Sequence, residues 1–335
     1  MLDALASDRD VMLNDDAAVA DPIVTELADL GIWTIGTLEA AGGGGADAGT
    51  TAVALARLGR TWPALAWAAA QAHAAVDVLV DEERASDLVA GLHAGSERVA
   101  VVDASSDHVR LSWDGGALRG EVDRVDAAGE DVHLLVLVGA RTALLVPPSR
   151  VTGVLVRRTG LAGARTQALR VDAPDSDVVR LGSAPMDPAR VRLRLGAAAA
   201  AAGVAGAAVD AALSYATGRR QFGGPLTDIA TVRQSLLHQH TQTLAATTLA
   251  VAGAPDAIAA HAVASAACEA AVDVCAAAVQ SHGGYGFLVE YPAERHLRDA
   301  ISLRAAADLQ SAARAAAADH AGLARVPHQL EASDR

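Results

Sequence analysis

Two short stretches carry residue types suited to gripping a phosphate-bearing ligand. In Tyr215-Ala-Thr-Gly-Arg219-Arg220-Gln221-Phe222-Gly223, guanidinium donors stand beside an amide, an aromatic ring and a glycine. In Gln280-Ser-His282-Gly283-Gly284-Tyr285-Gly286, an amide donor precedes a glycine-rich turn. A nucleotide diphosphate presents two negative charges. An arginine at a helix end offers planar, permanently charged donors, and glycines let the backbone come close. On that chemistry Arg219 is the donor to the pyrophosphate, with Gln221 in the same set. Phe222 lies against the base or sugar, and Gln280 with the Gly283 and Gly284 backbone bonds the AMP half. Charge-assisted bonds of this kind contribute roughly 1.5–3 kcal/mol each. A plainer alternative makes the first stretch a helix C-cap with an aromatic plug and the second a tight turn.

Other polar residues read more simply. His238 and His240 are two apart on a helical pattern, a spacing that splays side chains, so they make no metal pair. His282 reads as a solvated loop histidine. Glu294, Arg295, Arg298 and Asp299 fall at helical spacing and read as ion pairs fixing the turn after Pro292. Cys268 and Cys275 sit seven apart in an alanine-rich helical pattern, which fits buried free thiols better than a disulfide framework.

These residues need long helices to carry them, and the composition allows it. The 335 residues are 52% hydrophobic and 20% charged, enough for a sizeable core in two or three subdomains. All 27 basic residues are arginine, and the net charge of −13 argues against nucleic acid or an anionic membrane as the main partner. No cationic, apolar leader opens the sequence, and the most apolar run, 196–212, is alanine and glycine interrupted by Asp210, so no membrane span is expected. Free thiols point to a reducing, cytoplasmic location.

The hydrophobic period changes twice along the chain. Residues 1–92 are helical in pattern. Residues 93–184 turn strand-like, with runs at 98–102, 108–113, 132–138, 142–146 and 151–156 and a hairpin signal at Asp114-Gly115-Gly116. Residues 185–323 are helical again, broken near 222–225, 253–255 and 283–292, which predicts a four-helix bundle. Residues 324–335 are expected to fray. The fold class is α+β: an N-terminal helical domain, a small β-barrel-like middle domain and a C-terminal bundle.

That layout and its motifs resemble the acyl-CoA dehydrogenases along almost the whole chain. The family pattern Arg-x-Gln-Phe-Gly-x-Pro-Leu is matched by residues 219–226. Gln-x-x-Gly-Gly-Tyr-Gly-Phe is matched by 280–287, followed by Glu290-Tyr291-Pro292-Ala293-Glu294-Arg295 and Arg298-Asp299. Weaker matches fall at 26–31, 42–45, 58–60 and 159–166. The resemblance implies an FAD-dependent oxidoreductase whose matching residues reach across an interface to grip FAD held mainly by a neighbouring subunit.

Elsewhere the pattern is broken. The family's proton-abstracting Glu occupies one of two places, and here those positions are Ala307 and Ala189. A positioned base contributes roughly 10²–10⁴-fold to rate, so no catalytic residue is expected in this chain. Asp308, one position on, points about 100° away on a helix and is the displaced candidate the sequence offers beside any unrecognised base. The family's Thr-Glu-Pro flavin-face segment is replaced by 101–107, Val-Val-Asp-Ala-Ser-Ser-Asp, and a further nucleotide-contacting Gln is Ala230.

The resemblance therefore implies the degenerate, smaller subunit of a heterotetrameric (α₂β₂) acyl-CoA dehydrogenase of the kind actinobacteria use in steroid and cholesterol catabolism. The catalytic subunit would hold the acyl-CoA and share its FAD, and electrons would leave to an electron-transfer flavoprotein. The alternatives are a self-sufficient homo-oligomeric dehydrogenase using Asp308 and a flavin-free scaffold of the same fold.

Overall fold

The computed structural model describes residues 17–182, 185–323 and 328–331. Four helices open the described chain: α1 (Ala17–Asp29), α2 (Ala48–Gly59), α3 (Pro63–Leu79) and α4 (Ser86–His93). Asp47 caps α2 by accepting from the Thr50 N–H at 2.6 Å, and Pro63 opens α3, where its missing N–H costs nothing. α3 is buried on nearly every side.

Eight strands follow: β1 (Val99–Asp103), β2 (Val109–Asp114), β3 (Ala117–Val125), β4 (His133–Val138), β5 (Thr142–Val146), β6 (Val151–Leu155), β7 (Gln167–Pro174) and β8 (Val179–Leu181). They form two four-stranded sheets, ordered β1-β4-β5-β8 and β2-β3-β7-β6. β1 and β4 pair in parallel, with Val99 opposite His133, and the other pairings among these eight are antiparallel. The first sheet is covered on both faces. Val99, Val101, Leu135, Leu137, Ala143 and Leu145 face the helical core, while Ala100, Leu134, Val136, Val138, Leu144 and Val146 face the second sheet. A strand buried on both sides reads as a continuous apolar run, as 134–138 does.

The hairpin signal at Asp114 is real, but its second strand is β3, which the strand-like runs in the sequence did not include. Gly115 and Gly116 both take positive φ, +58° and +76°, the geometry a two-residue primed turn needs. Of the tail expected to fray, 324–327 and 332–335 lie outside the described residues. Gln329–Glu331 forms one turn instead, with Leu330 fully buried between the sheets. An apolar side chain docked in a core holds a terminus that polarity alone would release.

The C-terminal half consists of α5 (Asp187–Gly218), a small hairpin (Arg220–Gln221 with Gly224–Pro225), α6 (Ala230–Ala252), α7 (Ala257–His282), α8 (Ala293–Ala306) and α9 (Leu309–His320). α5 is the axis of the molecule, packed by α2, α3, α6, α7 and α8. Its core face is almost entirely alanine and glycine, which brings backbones together. A Cβ on Gly203 would lie 2.2 Å from the Ala56 carbonyl oxygen of α2, and one on Gly59 2.7 Å from that of Ala200. By length and composition α5 and 257–287 could each cross a membrane; 72% of the most apolar window of α5 is buried by the helices around it. Both cysteines are free and buried in α7, and burial pushes the Cys268 thiol up to about 12.

The bundle is tied to the β region through α8. Arg298 pairs with Glu294 at 2.6 Å and also donates to the Thr159 carbonyl, and the Asp299 carboxylate accepts from the Leu161 N–H at 2.5 Å. Only the Glu294–Arg298 pair is the local ion pair the spacing predicts. Asp299 is spent on a segment 138 residues away, beyond the reach of any local pattern.

Candidate functional site

The two glycine-bearing stretches meet at one end of the bundle. α5 ends at Gly218, and Arg219 closes it by donating its N–H to the Tyr215 carbonyl at 2.8 Å. The chain then turns through Phe222 and Gly223, both at positive φ (+55° and +90°), and pairs Gln221 with Gly224. A non-glycine residue rarely adopts that conformation. The ring it presents is 92% exposed, so Phe222 plugs nothing in this chain, contrary to the plainer reading.

Opposite it, α7 ends at His282 and a short 3₁₀ turn covers Gly283–Phe287. Tyr215, His282, Tyr285 and Tyr291 make a continuous aromatic cluster. His282 stacks on Tyr215 with centroids 4.5 Å apart, and Tyr291 stands edge-on to Tyr215, His282 and Tyr285 at 5.5–5.8 Å. The Arg219 guanidinium lies over the Tyr285 ring at 5.2 Å. His282 is therefore not the solvated loop residue its neighbours suggested. It is 3% exposed, and its Nδ1–H donates to the Ala278 carbonyl at 2.7 Å. The aromatic cluster joins α5, α7 and the 283–292 loop, so one rigid block carries both motifs.

Arg219, Gln221, Phe222, Gln280, Gly283 and Gly284 all lie at this end, with Gln221, Phe222, Gln280, Gly283 and Gly284 exposed. The glycines are the informative residues. A Cβ on Gly283 or Gly284 would meet nothing within 4 Å, and Gly284, unlike Gly283, does not need a positive φ. Nothing inside the chain asks for glycine at 284. By contrast a Cβ on Gly286 would lie 2.5 Å from the Val279 carbonyl oxygen, an internal packing demand.

The positions where the resemblance expects chemistry converge about α5, near the β1–β2 loop. A cavity of about 60 Å³ is lined by Trp67, Val101, Asp103, Arg190, Arg194 and Ala307, among others. Ala189 and Ala307 are each 1% exposed. The Arg190 guanidinium bonds Asp103 at 2.7 Å and Asp187 at 3.3 Å, and Arg194 donates to the Ala307 carbonyl at 2.6 Å. Burial pushes the Asp103 carboxyl up, but the Arg190 charge and bonds from Ser105 outweigh it, so its pKa is lowered and it stays ionised. Desolvation lowers the pKa of Arg194. Asp308 adopts a left-handed φ of +46° just before α9. Small-molecule sites typically enclose roughly 300–1,000 Å³, so this crevice does not fit a flavin ring with a substrate beside it.

Residues 191–307 match the family described as acyl-CoA dehydrogenase, C-terminal domain. The structure of the electron transferring flavoprotein of Acidaminococcus fermentans superposes with a TM-score of 0.77 at 20% identity, over 95% of this chain and 96% of that one. The fold is that of the acyl-CoA dehydrogenases. A Tcur3481-Tcur3483 steroid ACAD variant superposes at 0.69 with 26% identity, over 90% of this chain and 89% of that one. In sequence, an acyl-CoA dehydrogenase of Bacillus subtilis is 34% identical over 171 residues, 46% of this chain and 44% of its own length. The sequence matches to the curated relatives thus span less than half of either partner.

Proposed function

We propose that this chain is a partner subunit of an FAD-dependent acyl-CoA dehydrogenase, oxidising the Cα–Cβ bond of a bulky acyl-CoA, and that it donates AMP-side contacts to a flavin shared with the catalytic subunit. The observation that carries the reading is the contrast between two ends of one chain. At the motif end, charged, amide and aromatic side chains surround a glycine, Gly284, that nothing internal requires. Both expected carboxylate positions are buried alanines, and the crevice that Ala307 lines is walled by the protein's own arginines. Arg219 would bond the pyrophosphate, Gln280 and the 283–284 backbone the AMP half, and Phe222 would cover base or sugar. Bound FAD would supply the hydride-accepting ring; this chain's residues would only hold and orient it.

The steroid ACAD likeness favours a polycyclic acyl group, and the family resemblance implies an electron-transfer flavoprotein as the electron acceptor, in a cytoplasmic α₂β₂ assembly. The test is co-expression with and without a catalytic acyl-CoA dehydrogenase subunit, followed by flavin content and acyl-CoA oxidation. The pair should be yellow and active and the lone chain colourless and inert. A yellow, active lone chain would sink the proposal.

One observation favours a second reading. Asp308 lines both the crevice and the neighbouring cavity, where a displaced base would have to lie. If the lone chain oxidises acyl-CoA and Asp308→Asn abolishes that activity with folding intact, the self-sufficient reading replaces the first.

A further inference from the structure

The 60 Å³ crevice has a larger neighbour. A second cavity of about 380 Å³ opens beside it, lined by the alanine-rich face of α9, by His261 of α7 and by Ser105 of the β1–β2 loop. Four residues line both spaces: Asp103, Arg190, Arg194 and Asp308. They come from three separate places in the chain and are cross-linked. Arg190 bonds Asp103 across 87 residues, and Arg194, one helical turn further along α5, bonds the carbonyl of Ala307 across 113. The left-handed turn at Asp308 starts α9 directly beside these bonds.

We propose that these four residues form a polar partition that seals the inner crevice from the outer cavity, so that Ala307 sits behind a wall that no ligand crosses. The partition deepens the proposed function, on which it rests for its biological sense: the catalytic chamber has been filled in, not merely stripped of its base. The physical case is the cost of opening. Withdrawing Arg190 leaves the largely buried Asp103 carboxylate without its cation, and withdrawing Arg194 leaves the Ala307 carbonyl without its donor. Removing the Arg194 side chain would instead merge the two cavities into one of ligand size.

A thiol placed behind the wall reads the partition directly. Ala307→Cys adds one sulfur atom to the inner crevice. In the full-length chain, its labelling by a small neutral disulfide reagent, corrected for the slow background of buried Cys268 and Cys275, should be at least 100-fold slower than that of a cysteine placed at exposed Val154. Adding Arg194→Ala should raise the rate at least 10-fold, with circular dichroism and thermal unfolding confirming a folded chain. If Arg194→Ala does not fold, Asp103→Asn, which removes the charge that holds Arg190 across the wall and leaves its longer bond to Asp187 in place, should give the same direction of change. Rapid labelling of Ala307→Cys in the intact chain overturns the proposal, and so does slow labelling that neither variant accelerates. The measurement uses neither flavin nor a partner subunit. It can therefore fail while the flavin content of the complex still supports the donor role, and the converse also holds.

Discussion

Replacing Gly284 by alanine separates a residue kept for packing from one kept for a ligand. In this chain a Cβ at 284 has open space to 4 Å, and the backbone there lies in a region alanine adopts freely. Fewer unfolded conformations then stabilise the variant, typically by about 0.4–1 kcal/mol. The lone chain should melt at the same temperature or slightly higher. If a nucleotide lies against this backbone in the complex, the new methyl group occupies the space of its sugar or phosphate. Losing even one close polar contact costs roughly 1.4 kcal/mol, a tenfold fall in affinity. FAD titration of the apo-complex, followed by flavin fluorescence, should therefore show binding at least tenfold weaker for Gly284→Ala. Gly286→Ala is the control. Its Cβ would sit 2.5 Å from the Val279 carbonyl and 3.1 Å from the His282 Cβ, so overpacking should cost about 1–3 kcal/mol and lower the melting temperature of the lone chain by several degrees. Unchanged FAD affinity in a folded Gly284→Ala complex would refute the assignment of this turn to the nucleotide.

Arg219→Ala, which removes a cation with no ion pair among the described residues, should weaken FAD binding in the complex about 10- to 150-fold while leaving the melting temperature of the lone chain within a degree or two. Asp299→Ala strips the Leu161 N–H of its acceptor and should destabilise by about 1–3 kcal/mol, read as a lower urea midpoint. Burial pushes His73 down to about 4 from an ordinary 6.5, and it bonds the Ile32 carbonyl at 2.9 Å as the neutral ring. A depressed folded-state pKa means stability that is present above pH 6.5 and lost as pH falls towards 4. His73 alone should therefore remove about 2 kcal/mol between pH 7 and 5, and His73→Asn should flatten that part of a melting-temperature profile.

Much of this architecture is legible from hydrophobic period. β1, β4 and β5 show as apolar runs because both faces of their sheet are covered, and α5 to α8 show through their breaks at Phe222, Gly253 and Gly283. β3 is missed for a physical reason. Its outward residues Arg119, Glu121 and Asp123 form ion pairs across the sheet surface with Asp172, Arg170 and Arg110, so a central strand looks polar. Gly120 at its middle, where a Cβ would lie 1.9 Å from the Arg110 carbonyl, looks like a turn. The motif residues stand out in the sequence because their types suit a phosphate-bearing ligand, and the structure brings the two stretches to one end of the bundle. The burial of His282 is not, because the tyrosines that enclose it come from 67 residues upstream and 9 downstream. The crevice is legible only as missing carboxylates; that Arg190 and Arg194 line it follows from tertiary geometry, with Asp103 and Ala307 brought in from distant segments.

The alanine face of α5 has a consequence for how this protein can change. In most cores the injurious substitutions are subtractions, since a leucine cut to alanine leaves a void. Here there is little to subtract. From Gly196 to Ala205 nearly every position is already as small as a helix allows, and neighbouring backbones stand where a larger side chain would go. Variation along this helix is therefore constrained from above. A survey of viable substitutions should find serine and glycine tolerated and valine, leucine and phenylalanine rejected, the reverse of an ordinary interior. A lineage that drifts towards bulkier residues would have to push its helices apart, and the block that carries both glycine-bearing motifs would move with them.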